Sequence, residues 1–224
     1  KAGVIKDKSD SEKETMYFNA AEQVFLTENY SKALASFQTY LERYPSGQKV
    51  PEAEFYIAEC YRNTGKKEQA CDWYRKSIEK GEGSAFAETA ILNFSRLSYD
   101  LQRYKDAFGG YSSLLEDAKI ENNRHTARVG MMRSAYKAGD WASAKSCADK
   151  VKADGKSAAA EIREADYIKA KSLLSMNERE AAFEIFASLS SAPSTSEGAE
   201  AKYMIIQDAC DQGKYDTVEK MVYG

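Results

Sequence analysis

Small and aromatic positions recur along this chain at a nearly constant interval. Ala33, Ala70, Ala107, Ala144, Ala182 and Val218 follow one another at steps of 37, 37, 37, 38 and 36 residues. Three residues before them stand Tyr30, Lys67, Tyr104, Trp141, Arg179 and Tyr215, and four residues after them Phe37, Tyr74, Tyr111, Ala148, Phe186 and Val222. A spacing of four puts the small residue and its larger follower on one helical face. Nine residues before the small position come Val24, Tyr61, Ser98, Ala135, Leu173 and Ala209, mostly apolar or small. Between these two groups, five before the small position, come Glu28, Gly65, Gln102, Gly139, Asn177 and Gly213. Gly and Asn take the left-handed conformation that ends a helix and opens a tight turn.

Each unit therefore reads as helix, turn, helix. The small residue marks the place where two antiparallel helices cross closely, and the larger residue one turn on fills the wider gap beyond it. The predicted units run over 14–50, 51–87, 88–124, 125–161, 162–198 and 199–224. A polar arm, or the tail of an earlier unit, is expected over 1–13. The sixth unit has a short second helix, and its apolar Val218, Met221 and Val222 await a neighbour, so further repeats are expected beyond it.

Composition supports a helical chain with a substantial core. Of 224 residues, 43% are apolar and 12% aromatic, which excludes a disordered chain. The prolines are Pro45, Pro51 and Pro193, a scarcity that suits helix interiors. A net charge of -3 with both signs interspersed offers no basic field to nucleic acid or anionic lipid. No apolar run approaches the ~18 residues a membrane helix needs.

These positions resemble the tetratricopeptide repeat, whose signature pairs apolar residues in a first helix with Ala, a following aromatic and a late Pro. The fullest match is 14–47, where Tyr17, Ala21, Val24, Tyr30, Ala33, Phe37, Tyr40 and Pro45 fall at the family's marked positions. The resemblance extends from about residue 14 to 224, with a step near 37 in place of ~34 and weaker motifs in the fourth and fifth units. It implies an all-α fold, a right-handed α-α superhelix of about six hairpins. The run YSKALASFQTYLERYPSG followed by PEAEFYIAECYRNTGKKEQA further resembles bacterial envelope versions of the repeat, of the outer-membrane assembly lipoprotein and Tol-Pal coordinator type. That likeness implies a place in the periplasm or at the outer-membrane periphery.

Catalytic and metal chemistry find little support. His125 is the single histidine and has no nearby partner of metal-ligand spacing, so it is expected as a surface or partly packed residue. GEGSAF at Gly81 lacks the lysine of a phosphate-binding loop and reads as an inter-repeat connection. Neither an enzyme nor a cofactor is expected. Cys60, Cys71, Cys147 and Cys210 form no C-x-x-C pair. Counting turns along the second hairpin puts Cys60 and Cys71 on opposite sides of it, so no disulfide is expected between them. Four free thiols suit a reducing compartment, against the envelope likeness.

The family resemblance implies binding along the first helices. Carried over by register, Phe18, Phe55, Leu92, Val129, Tyr167 and Tyr203 form one row. Glu22, Glu59, Arg96, Arg133, Lys171 and Gln207 form a second, and Phe25, Arg62, Tyr99, Tyr136, Leu174 and Cys210 a third. The second row is acidic in two units and basic in the next three, a gradient suited to orienting an extended protein or peptide. A bland alternative stays open, in which the first row packs between units and the charges form a solvated face. The leading expectation is a protein- or peptide-binding scaffold. The alternatives are self-association within a longer repeat protein and readout of RNA, which the acidic balance disfavours.

Overall fold

The computed structural model describes residues 9–81 and 84–223. Among them the regular elements are twelve helices, with no strand. In chain order these are α1 (Asp10–Leu26), α2 (Tyr30–Arg43), α3 (Val50–Asn63), α4 (Lys67–Lys80), α5 (Ala87–Asp100) and α6 (Tyr104–Asp117), then α7 (Glu121–Ala138), α8 (Trp141–Ala153), α9 (Ala159–Ser175), α10 (Arg179–Leu189), α11 (Ser196–Asp211) and α12 (Tyr215–Tyr223). They form two compact units, one ending at Lys119 and the other beginning at Ile120, with three hairpins in each. Within a unit every helix packs on the next in sequence. First helices also meet, α1 on α3 in one unit and α7 on α9 and α9 on α11 in the other. This is the all-α stacked-hairpin architecture that the spacing predicts.

The hairpin turns follow from backbone conformation. Glu28, Gly65, Gln102, Gly139, Asn177 and Gly213 all have positive φ, between 59° and 77°. In the second to sixth hairpins the residue after this one donates its N–H back across the turn. Lys66, Arg103, Asp140, Glu178 and Lys214 bond to the carbonyls of Tyr61, Ser98, Ala135, Leu173 and Ala209 at 2.8–3.0 Å. This six-to-one bond is the Schellman closure of a helix C-terminus. In these five hairpins its acceptor is the residue nine before the small position.

Packing explains the small residue. Ala33, Ala70, Ala107, Ala144 and Ala182 are completely buried, and Phe37, Tyr74, Tyr111, Ala148 and Phe186 are buried one turn later. In the first unit Phe18, Ala21, Ala33, Phe37, Tyr40, Ala53, Ile57 and Cys60 form one core, and Ala58, Ala70, Cys71, Tyr74, Ala90, Phe94 and Leu97 form the next. Cys60 and Cys71 thus enter different cores on the two sides of their hairpin, as turn counting predicts, and both remain free thiols. In the second unit Ala170, Leu173, Ala182, Phe186, Leu189 and Ala201 cluster between α9, α10 and α11. The last hairpin is looser, with Val218 half-buried and Val222 exposed.

The first helix begins ahead of residue 14. Ser9 and Glu12 form a reciprocal capping box, Ser9 N–H to Glu12 and Glu12 N–H to Ser9 Oγ, which starts α1 at Asp10. The polar arm up to residue 8 lies outside the described residues, as do residues 82 and 83 of the GEGSAF connection. No helix among the described residues is long and apolar enough to cross a membrane.

Candidate partner-binding site

In the first unit the rows along α1, α3 and α5 have sorted into packing and surface. Phe18 is only 2% exposed, tilted against Phe37 and edge-on to Tyr40, so it packs within the hairpin. Leu92, and Val129 in the second unit, are buried likewise. Phe55 is half-buried among Tyr56, Tyr74 and Phe86. In half of the first row packing has won, because apolar area next to the following hairpin is stabilised by removal from water.

The acidic pair of the second row is tied into the fold. Tyr56 Oη donates to Glu22 at 2.7 Å, joining α3 to α1. Glu59, 7% exposed, accepts from Asn93 Nδ2 at 3.0 Å and Arg62 Nη2 at 2.6 Å, and from the Tyr74 hydroxyl. A buried carboxylate needs such donors, since an unpaired charge there is costly. Burial and the Glu59 charge push the Tyr74 phenol well above its ordinary range, and burial with Glu22 does the same for Tyr56. Neither phenol ionises near neutral pH.

Tyr56 and Asn93 were not singled out by the sequence pattern, although a signal was present. They stand 37 residues apart, each one place after the first row, and each reaches a carboxylate 34 residues earlier. A hydrogen-bonding side chain at that position, paired with an acid one repeat back, marks a tie between neighbouring hairpins.

The third row also divides. Phe25, Tyr99 and Tyr136 lie edge-on to Tyr30, Tyr104 and Trp141 of their own hairpins, with centroids 5.5, 5.4 and 5.8 Å apart. These pairs brace the turn and leave half-buried rings at the first-helix surface. Arg62 retains an exposed guanidinium beside Glu59. Arg96 is exposed, and no ion pair among the described residues engages it.

In the second unit Arg133 meets Glu164 of α9 in a two-pronged pair, Nε at 2.7 Å and Nη2 at 2.6 Å. Its charge is therefore matched within the fold, and the basic half of the predicted gradient is weaker than the sequence alone suggests. Lys171 is half-buried on α9. Tyr167 Oη lies 3.5 Å from Glu200, and Tyr203 stands 58% exposed on α11. The surface thus carries tyrosines with residual cations, a chemistry suited to protein recognition.

Reactive chemistry is sparse by comparison. Burial pushes the Cys60 thiol up to about 12, with Glu59 adding to it, and burial raises Cys147 as well. Both are thiols, not thiolates, at neutral pH. Among the described residues no group of three or more His, Cys, Asp and Glu side chains is placed to hold a metal ion. His125 is partly packed and lies between two carboxylates, Asp154 at 2.8 Å and Glu161 at 3.1 Å.

These hairpins have the fold of tetratricopeptide repeat arrays. Residues 52–80, which fall on α3 and α4, match the family model of the tetratricopeptide repeat. The crystal structure of YrrB, described as "a TPR protein with an unusual peptide-binding site", is similar at a TM-score of 0.60 and 18% identity, over 84% of this chain and 90% of YrrB. A tetratricopeptide repeat protein from Parabacteroides merdae is similar at 0.59 and 15% identity, over 95% of this chain and 80% of that one. MamA is similar at 0.55 and 12% identity, over 86% of this chain and 93% of MamA. No curated protein sequence matches this chain.

Proposed function

We propose that this chain is a non-enzymatic scaffold that binds an extended protein or peptide segment along the first helices of its hairpins. The observation that carries this reading is the division of labour on those helices. Their small and apolar positions are spent on packing, while Arg62, Arg96 and Tyr99 in one unit and Tyr136, Lys171 and Tyr203 in the other remain at the surface. Tyrosines give contact area at low entropic cost, and the cations select acidic or carboxylate-bearing segments. The peptide-binding site described for YrrB supports the same reading by analogy of fold.

Affinity capture with the wild-type chain and with Arg96→Glu plus Lys171→Glu, read by mass spectrometry, tests it. Partners that are lost with the double variant and kept with Lys76→Glu on α4 support the first-helix surface. Undiminished capture by the double variant contradicts it.

A second reading is self-association, favoured by Tyr203, Tyr215 and Val222 exposed on the last hairpin. It predicts a mass that rises with concentration in light scattering and falls back in Tyr203→Ser plus Tyr215→Ser. The envelope likeness of the segment from Tyr30 to Ala70 leads us to place the scaffold in the periplasm or at the outer-membrane periphery. Recovery of the natural protein in the cytosolic fraction of its host would contradict that placement.

A further inference from the structure

The single histidine of the chain is held in a way that its repeat register does not require. His125, near the start of α7, has both ring nitrogens against carboxylates. Nδ1 lies 2.8 Å from Asp154 Oδ2, in the connection after α8, and Nε2 lies 3.1 Å from Glu161 Oε2, in the first turn of α9. Ionised carboxylates only accept hydrogen bonds, so both contacts are made only if both nitrogens donate. A neutral imidazole carries one N–H and would set its other nitrogen lone pair against a carboxylate oxygen. The geometry is that of an imidazolium.

The two acids come from different elements, and each is fixed by further bonds. Asp154 also accepts from Arg128 at 3.1 Å and from the Lys156 N–H at 3.2 Å. Glu161 accepts from the Ala158 N–H at 2.8 Å, closing the start of α9. The wider charge set has one more cation than acid. From α7, Glu121, Arg124 and Arg128 face this cluster; from the α8–α9 connection come Asp154 and Lys156; from α9 comes Glu161, which also feels Arg133. No excess of either sign outweighs the two direct contacts.

We propose that His125 is a pH-sensitive clasp that, as an imidazolium, locks the start of α7 to the α8–α9 connection and to the first turn of α9. On losing its proton it releases one of the two carboxylates. The hydrogen bond to Asp154 and then Glu161 hold the imidazole above its ordinary range, with burial opposing them. Because the native-state value is raised, the clasp contributes fully below the ordinary value of ~6.5 and is lost as pH rises through the higher native value. His125 lies eight residues before Arg133 on α7, and Glu161 three before Glu164 on α9. The clasp therefore sets the register of the two helices whose side chains form the Arg133–Glu164 pair.

One histidine in the sequence makes the test direct. In an NMR titration of the whole chain, the His125 ring signals are expected to titrate above ~6.5, and the amide signals of residues 154–161 to move on the same curve. Asp154→Asn with Glu161→Gln should bring the ring midpoint down towards the ordinary value. A wild-type midpoint at or below ~6.5, or loop amides indifferent to the ring's titration, would overturn the proposal. The wild-type titration decides the matter even if the double variant does not fold. In unfolding curves His125→Gln should also remove the part of the stability loss that wild type shows on going from mildly acidic to alkaline pH.

Discussion

Gly109 and Gly110 are neighbours in α6 with opposite surroundings. A Cβ on Gly109 would meet nothing within 4 Å, whereas one on Gly110 would lie 2.3 Å from Ser95 Oγ and 3.1 Å from Phe94 Cδ1. Gly109→Ala should therefore stabilise by about 0.5–1 kcal/mol through helix propensity, and Gly110→Ala should destabilise by about 1–3 kcal/mol through overpacking. The same contrast separates the turn residues. Gly65 has φ +77° and open space around it, so Gly65→Ala should cost about 1 kcal/mol of backbone strain alone. Gln102 already bears that strain at φ 59°, and Gln102→Gly should return about 0.5–1 kcal/mol. Chemical denaturation of the four variants checks all four signs. The turn positions were legible because Gly and Asn mark four of the six. Glu28 and Gln102 were legible only through their register, since nothing in a glutamate or glutamine side chain calls for a left-handed backbone. The surroundings of Gly109 and Gly110 were not legible, because they depend on which side of α6 meets α5.

At the scale of the element, Ala107 stands where α6 crosses its partner with no room for a larger side chain. Ala107→Leu should destabilise by about 1–3 kcal/mol, measured as a fall in the denaturant midpoint. Tyr74 is the larger residue one turn after Ala70, and its hydroxyl supplies one of the donors around Glu59. Tyr74→Phe keeps the ring and leaves two donors on the carboxylate, so a loss of about 1–2 kcal/mol is expected. The hairpin itself was fully legible from the small and apolar positions. The polar ties between hairpins were not, because Glu22 and Glu59 look like solvated charges until Tyr56 and Asn93 of the next hairpin are seen to reach them. Such a carboxylate announces itself only through its donors, and the ones that tie neighbouring hairpins are 34 residues away. The sequence likewise showed Arg133 as a cation at the surface, when Glu164 neutralises it from the neighbouring first helix.

At the scale of the whole molecule, the repetition settles the architecture and leaves the partner to be read from what the packing does not use. Regular spacing constrains only the residues that every hairpin must bury, and these were legible as a set. Residues that serve recognition are free to differ from hairpin to hairpin, so no periodicity reports them. What is left on the first helices after packing and internal pairing is a set of tyrosines with Arg96 and Lys171. The most direct test of the account puts a photoreactive amino acid in turn at positions 96 and 171 on first helices and at 76 and 150 on second helices, with a captured partner present. Cross-links to the partner from 96 or 171, and none from 76 or 150, are predicted. Cross-links confined to 76 and 150 would contradict the assignment of the binding face.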